Sequence, residues 1–228
     1  MSPGRPGSAQ RRDLLAHVAA RVPDGPGTSC TRVGVDGPDG SGKTVFAAEL
    51  AETLREGGRD VVQVSLDDFH HVREVRHRLG RTSPEGFWLD SFDYPRFVDE
   101  VLRPLGPGGS GCYRPRGHDL ATDEVLDGPL LRAPAGAALV VDGLFLHRRE
   151  LEGLWDFTVY LDVPFEVTAA RMAVRDGSHA DPEHPSMARY VQAQRRYLAE
   201  RAPWERADMV VDNSDVERPV VTVPRLAP

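Results

Sequence analysis

The stretch Gly37-Pro-Asp-Gly-Ser-Gly-Lys-Thr44 fits the pattern G-x-x-x-x-G-K-[ST], and its flanks fit the mechanism of that pattern. Ahead of it the run TRVGVD (31–36) reads as a buried strand. Behind it a helical pattern starts near Gly42 and stops at Gly57 and Gly58. Glycines between a strand and a helix let the backbone amides turn inward as a nest, which grips polyphosphate at the positive end of the helix. Strand, nest and helix in that order commit the chain to a parallel sheet with crossover helices.

Four more apolar runs supply that sheet: DVVQVSLD (60–67), AALVVDG (137–143), DFTVYLDV (156–163) and ADMVVDN (207–213). The fold class is α/β, a P-loop fold with a mostly parallel five-stranded sheet and helices on both faces. PFEVTAARMAVRD reads as a helix with Pro164 suited to its first turn, and MARYVQAQRRYLAERA as another. Between them GSHADPEHPS has the Gly, Pro and polar content of a mobile loop, and residues 176–188 are expected to form a lid. Residues 67–134 form a long insertion leaving the end of the second strand, where an α/β sheet holds a second substrate. Residues 1–10 are expected as a disordered tail and 11–228 as one domain, with the last dozen residues unassigned.

Lys43 is the only lysine among 28 Lys and Arg residues; isoleucine is absent and asparagine occurs once, at Asn213. Such a composition writes cations as arginine by default. The exception falls where a compact ammonium on a flexible stem can follow a transferring phosphate and a planar guanidinium cannot fit. A net charge of −7 argues against a general nucleic-acid partner. No stretch approaches a membrane span, and Cys30 and Cys112 lack metal or redox spacing, so a cytoplasmic protein with reduced thiols and no membrane partner is expected.

Gly37, Asp39, Gly40, Ser41, Gly42, Lys43, Thr44 and Val45 are the candidate nucleotide-binding residues, with ATP and Mg2+ as cofactors. Asp142, ending the run ALVVD, is placed to share the metal with Thr44. The guanine-reading motif N-K-x-D needs a lysine, and the single one is already used, which excludes an ordinary GTPase switch. The second strand ends in SLDDFHH, so Asp67 and Asp68 stand at the carboxyl edge of the sheet, where a carboxylate can accept the proton of an attacking hydroxyl.

At this point the sequence resembles the uridine kinase branch of P-loop kinases, which includes phosphoribulokinase and bacterial pantothenate kinase. The family's strand ends S-x-D-x-F-Y; Ser65, Asp67 and Phe69 match, and His70 stands for the tyrosine. The resemblance makes Asp67 the catalytic base, with a share in the metal site, and Asp68 second choice. SFDYPRF is similar to the F-D-H-P-x-x-F segment, which gives Asp93 the ribose hydroxyls. YRPRGHDLAT resembles Y-D-F-x-x-H-x-R, which puts Tyr113 and His118 at the nucleoside base. VVDGLF corresponds to the E-G-I segment with Asp142 for Glu, and AARMAVRD to the helix carrying Arg171 and Arg175 into the lid. The likeness runs from Arg32 to Asn213. Pro115 replaces the loop aromatic and Arg114 its acid, so the acceptor stays open.

The run from Phe69 to Tyr94 adds Arg73, Arg76, Arg78 and Arg81, a solvated face or a site for an anionic acceptor, with Arg76 the candidate ligand. Trp88 is read as a stacking surface for a base or sugar, or as part of the insertion's own core. The expected partner is a small hydroxylated acceptor, most simply a nucleoside. Another acceptor (sugar phosphate, pantothenate-like acid, specialised metabolite) and a non-catalytic nucleotide-binding module are the alternatives. Relatives in that family assemble as dimers or tetramers, so a homo-oligomer is compatible with the resemblance.

Overall fold

The computed structural model describes residues 7–25 and 27–222. One sheet orders the molecule. Its strands are β1 (Thr31–Asp36), β2 (Val61–Ser65), β3 (Ala138–Asp142), β4 (Phe157–Asp162), β5 (Met209–Asp212) and β6 (Val220–Thr222), laid out β6-β5-β4-β1-β3-β2. The five parallel strands are the five expected ones, β1 with the expected bounds and the other four trimmed at their ends. The sixth corrects the strand count: β6 runs antiparallel along β5. Three residues after Pro219 are too few to show a period in sequence, and pairing with β5 is what makes them a strand.

Apolar patterning explains the layers. Every residue of β1 and β3 is buried, as in a parallel sheet covered on both faces, whereas edge strand β2 alternates with Val62 and Val64 inward. Helices α1 (Ala9–Ala19) and α2 (Lys43–Glu56) cover one face, packing Leu14, Phe46 and Leu50 on Val33, Val35 and Val159. The other face carries the insertion and α5 (Ala188–Arg201), with Phe69, Phe97, Phe145 and Tyr197 on Leu139 and Val141. Between them α4 (Phe165–Asp176) leads into the expected lid segment, which ends in a 3-10 turn at Pro185–Met187.

Residues 1–6 of the expected tail lie outside the described residues. Ala9 and Gln10, counted in that tail, open α1 instead, because the Ser8 hydroxyl accepts from the Arg11 amide at 3.1 Å and caps the helix. The insertion holds a 3-10 turn (Leu66–Phe69), α3 (Pro84–Asp90), a helical stretch from Tyr94 to Leu105 with a π turn at Val98–Leu102, and two short antiparallel ladders. None of the described helices is long and apolar enough to cross a membrane.

Register places the site. Val35 pairs with Asp142, and Asp142 with Ser65, so β1, β3 and β2 end level. The loop after β1 therefore leaves between β3 and β4, where strand order reverses, with the ends of β2 and β3 beside it.

Candidate active site

The loop after β1 takes its shape from glycine at two positions in particular. Gly40 has φ +76°, and a Cβ there would sit 2.6 Å from the Thr168 carbonyl oxygen; Gly42, at φ +91°, starts α2. Side chains from distant elements then pin it. The Asp36 carboxylate accepts from the Gly37 amide at 2.7 Å, Gln194 accepts from the Asp39 amide at 2.8 Å, and Asn213 donates to the Ser41 carbonyl at 2.7 Å. Asp36 is fully buried and also accepts from His147 Nδ1 at 2.7 Å and from the Tyr197 hydroxyl. These residues escaped sequence reading. The only available signals were a carboxylate ending a buried strand and a lone asparagine at a strand's carboxyl edge.

A cavity of about 420 Å3 opens over the loop, walled by Asp39, Gly40, Gly42, Lys43, Thr44, Val45, Asp67, Asp142, Arg171 and Arg175 among others. Lys43 Nζ donates to the Pro38 carbonyl at 2.8 Å, folded against the loop it serves. Thr44 Oγ1 donates to Asp142 Oδ2 at 2.7 Å. A hydroxyl and a carboxylate so close are hard oxygen donors of the kind Mg2+ takes from a protein, few in number and completed by water and phosphate. No cluster of three or more His, Cys, Asp or Glu suited to a metal occurs among the described residues.

Asp67 and Asp68, adjacent in sequence, part company. Asp68 is paired with Arg116 at 2.7 Å. Asp67 makes no ion pair among the described residues and its side chain is exposed into the cavity, where neighbouring protein still limits its access to water. Its carboxyl is pushed up to about 6, first by burial and then by Asp39, Asp142 and Asp68, against the pull of Lys43. His70 steadies the same turn, its Nδ1 2.8 Å from the Asp67 carbonyl, which assigns the proton to Nδ1. Burial lowers its pKa to about 4, so the ring is neutral near pH 7.

The remaining candidates stand outside the wall of that cavity. Asp93 caps the helical stretch at Tyr94 by accepting from the Arg96 amide at 3.0 Å, and its other oxygen lies 3.9 Å from His71. Buried His118 turns Nε2 toward Asp123 at 3.3 Å and leaves Nδ1 without a hydrogen-bond partner among the described residues. Arg76 is tied to Asp123 at 3.2 Å and Arg78 to Asp90 at 2.6 Å, which neutralises half of the expected cationic cluster.

Trp88 and Tyr113 are corrections. Trp88 is core, with its ring 5.0 Å from Phe145 and the Arg148 guanidinium 4.0 Å above it. Tyr113 packs in the same core beside Cys30, at the amino end of β1 and so opposite the phosphate loop. Both follow the hydrophobic area of an aromatic ring into the insertion's interior rather than toward a ligand.

Arg171 donates to the carbonyls of Asn213 and Ser214 at 2.9 and 2.7 Å, whereas Arg175 pairs with its neighbour Asp176 at 2.8 Å. Burial lowers the Arg171 pKa, and the carboxylates of Asp215 and Asp212 only partly offset it.

A parallel sheet, a glycine cradle with its lysine, a hydroxyl–carboxylate pair and an unpaired carboxylate in the turn after β2 define the class, a P-loop kinase fold. The profile of the phosphoribulokinase / uridine kinase family matches residues 32–180, and the chain belongs to that family. It is 33% identical over 179 residues to a thymidylate kinase of Thermomicrobium roseum, across 74% of this chain and 80% of that one. Its structure is similar to that of a possible uridine kinase from Bacillus stearothermophilus, with a TM-score of 0.68, 25% identity, and 88% and 96% of the two chains covered. Phosphoribulokinase from Rhodobacter spheroides shares the fold, with a TM-score of 0.51, 15% identity, and 87% and 76% coverage.

Proposed function

We propose that the protein is an ATP-dependent phosphotransferase that moves the γ-phosphate to a hydroxyl of an uncharged polyol, foremost a nucleoside of the uridine or cytidine kind, in the cytoplasm. The observation that carries this reading is Asp67. A carboxylate that is unpaired and raised to about 6 is matched to taking a proton near neutral pH.

The residues divide the work. Loop amides from Gly37 to Gly42 cradle the polyphosphate, and Lys43 leaves the Pro38 carbonyl for the γ-phosphate. Thr44 and Asp142 would hold Mg2+, which when bound neutralises charge on the β- and γ-phosphate oxygens. Arg171, parked on two carbonyls, is a ready counter-charge for the transferring group, and Arg175 stands behind it on α4. Asp67 receives the acceptor's hydroxyl proton and aims its oxygen in line.

Charge near Asp67 supports an uncharged acceptor. Arg116 and Arg76 are engaged by Asp68 and Asp123, and the His70 ring is neutral near pH 7, which favours an acceptor without charge of its own. The relative named for thymidylate favours a second reading, a nucleoside monophosphate acceptor. ADP release from ATP and Mg2+ should be measured against uridine, cytidine, thymidine, dTMP, sugar phosphates and pantothenate, with mass spectrometry of the product. Ribonucleosides should give the highest kcat/KM. A preference for dTMP would replace the first reading with the second, and slow hydrolysis indifferent to every acceptor would leave a nucleotide-binding module.

A further inference from the structure

Asn213, the one asparagine in 228 residues, follows β5 directly and is completely buried. Three of its polar groups are engaged. Side-chain Nδ2 donates to the Ser41 carbonyl at 2.7 Å, and Oδ1 accepts from Arg11 Nη1 at 3.1 Å. The main-chain carbonyl accepts from Arg171 Nη2 at 2.9 Å. The amide cannot be turned round, because the Ser41 carbonyl only accepts and the Arg11 guanidinium only donates.

No other side chain of that length does both. Aspartate has no donor for Ser41, and leucine would bury a carbonyl and a guanidinium N–H without partners. There is little slack either, since a Cβ on Gly42 would lie 3.0 Å from Asn213 Nδ2.

The peptide pinned in this way joins Ser41 to Gly42, next to Lys43 and the start of α2. The turn that begins at Asn213 is gripped from two helices: Arg11 of α1 also donates to the Val216 carbonyl at 2.8 Å, and Arg171 of α4 to the Ser214 carbonyl at 2.7 Å. Asn213 itself is not part of the cavity wall. We propose that Asn213 is a positioning residue for nucleotide binding, setting the tilt of the Ser41–Gly42 peptide with its side chain and the station of Arg171 with its carbonyl. The inference rests on the kinase reading above. It explains why a chain that otherwise avoids asparagine keeps one here, as Lys43 explains its lysine.

ADP binding, measured by isothermal titration calorimetry, tests the proposal without needing the acceptor. Asn213→Asp keeps an acceptor for Arg11 and puts a carboxylate oxygen, with no proton to give, against the Ser41 carbonyl, so ADP Kd should rise about tenfold, the scale of one buried carbonyl left unsatisfied. Its Tm should stay within a few degrees of the parent's. Arg11→Met frees the carboxamide from outside the cavity and should raise ADP Kd by a smaller factor; it decides the matter if Asn213→Asp does not fold. A folded Asn213→Asp, or failing that Arg11→Met, with parental ADP affinity overturns the positioning role alone. A parent that does not bind ADP overturns the kinase reading with it.

Discussion

Replacing Asp67 by asparagine should make the fold more stable at pH 8 while removing most of the activity. Burial pushes the carboxyl up to about 6 in the folded chain, against 3.8 for the free side chain. At ~1.36 kcal/mol per unit the shift corresponds to about 3 kcal/mol. Asp67 is open to water through the cavity mouth, and screening cuts that to ~1 kcal/mol. The folded-state pKa lies above the unfolded one, so the neutral acid is the form the fold favours. Its relative stability is fully present below pH about 4 and is lost as pH rises through about 6. Asparagine is neutral throughout. Parent and variant should therefore unfold together at pH 4 and separate above pH 6, by about 2–4 °C in Tm for a chain of this size. Thermal and urea unfolding from pH 4 to 8 would measure it, with kcat expected to fall roughly 100-fold in parallel. A gap that does not change with pH, or a parent more stable than the variant at pH 8, would refute the argument that burial strains this carboxylate.

Lys43→Arg should lose nearly as much kcat as Lys43→Ala, because the wider guanidinium cannot occupy the loop where the ammonium meets the Pro38 carbonyl; near-parental turnover of the Arg variant would remove that explanation. Asp93 is expected to hold acceptor hydroxyls and also caps a helix. Asp93→Ala should thus raise the acceptor KM and cost ~1 kcal/mol of stability, while Asp93→Ser should restore the stability and not the KM. Equal KM values in all three proteins would leave Asp93 with the cap alone. Trp88→Phe should lower Tm and spare every acceptor KM, since the ring lies in the core; a KM effect larger than its Tm effect would return Trp88 to the acceptor site. In the parent, kcat/KM should decline as pH falls through about 6, where Asp67 takes up its proton.

The phosphate loop was legible in the sequence because its cause is local. Strand, glycines, lysine and helix are contiguous, and backbone geometry within eight residues is enough to make the nest. Four of the five parallel strands were legible for a related reason, since burial on both faces writes them as apolar runs, and edge strand β2 showed in its alternation of Val62 and Val64 with more exposed neighbours. Asp67 and Asp68 looked alike. Only the fold brings Arg116 to Asp68, 48 residues along the chain, and leaves Asp67 to face the cavity unpaired. The same holds for Trp88 and Tyr113, whose aromatic pattern fits a ligand platform or a core equally well until packing assigns them to the core. Asp36, Gln194 and Asn213 show the limit most plainly. Gln194 meets Asp39 across 155 residues and Asn213 meets Ser41 across 172. A hydrogen bond depends on a few tenths of an ångström between atoms, and for residues so far apart in the chain only the packed sheet and its helices set that distance.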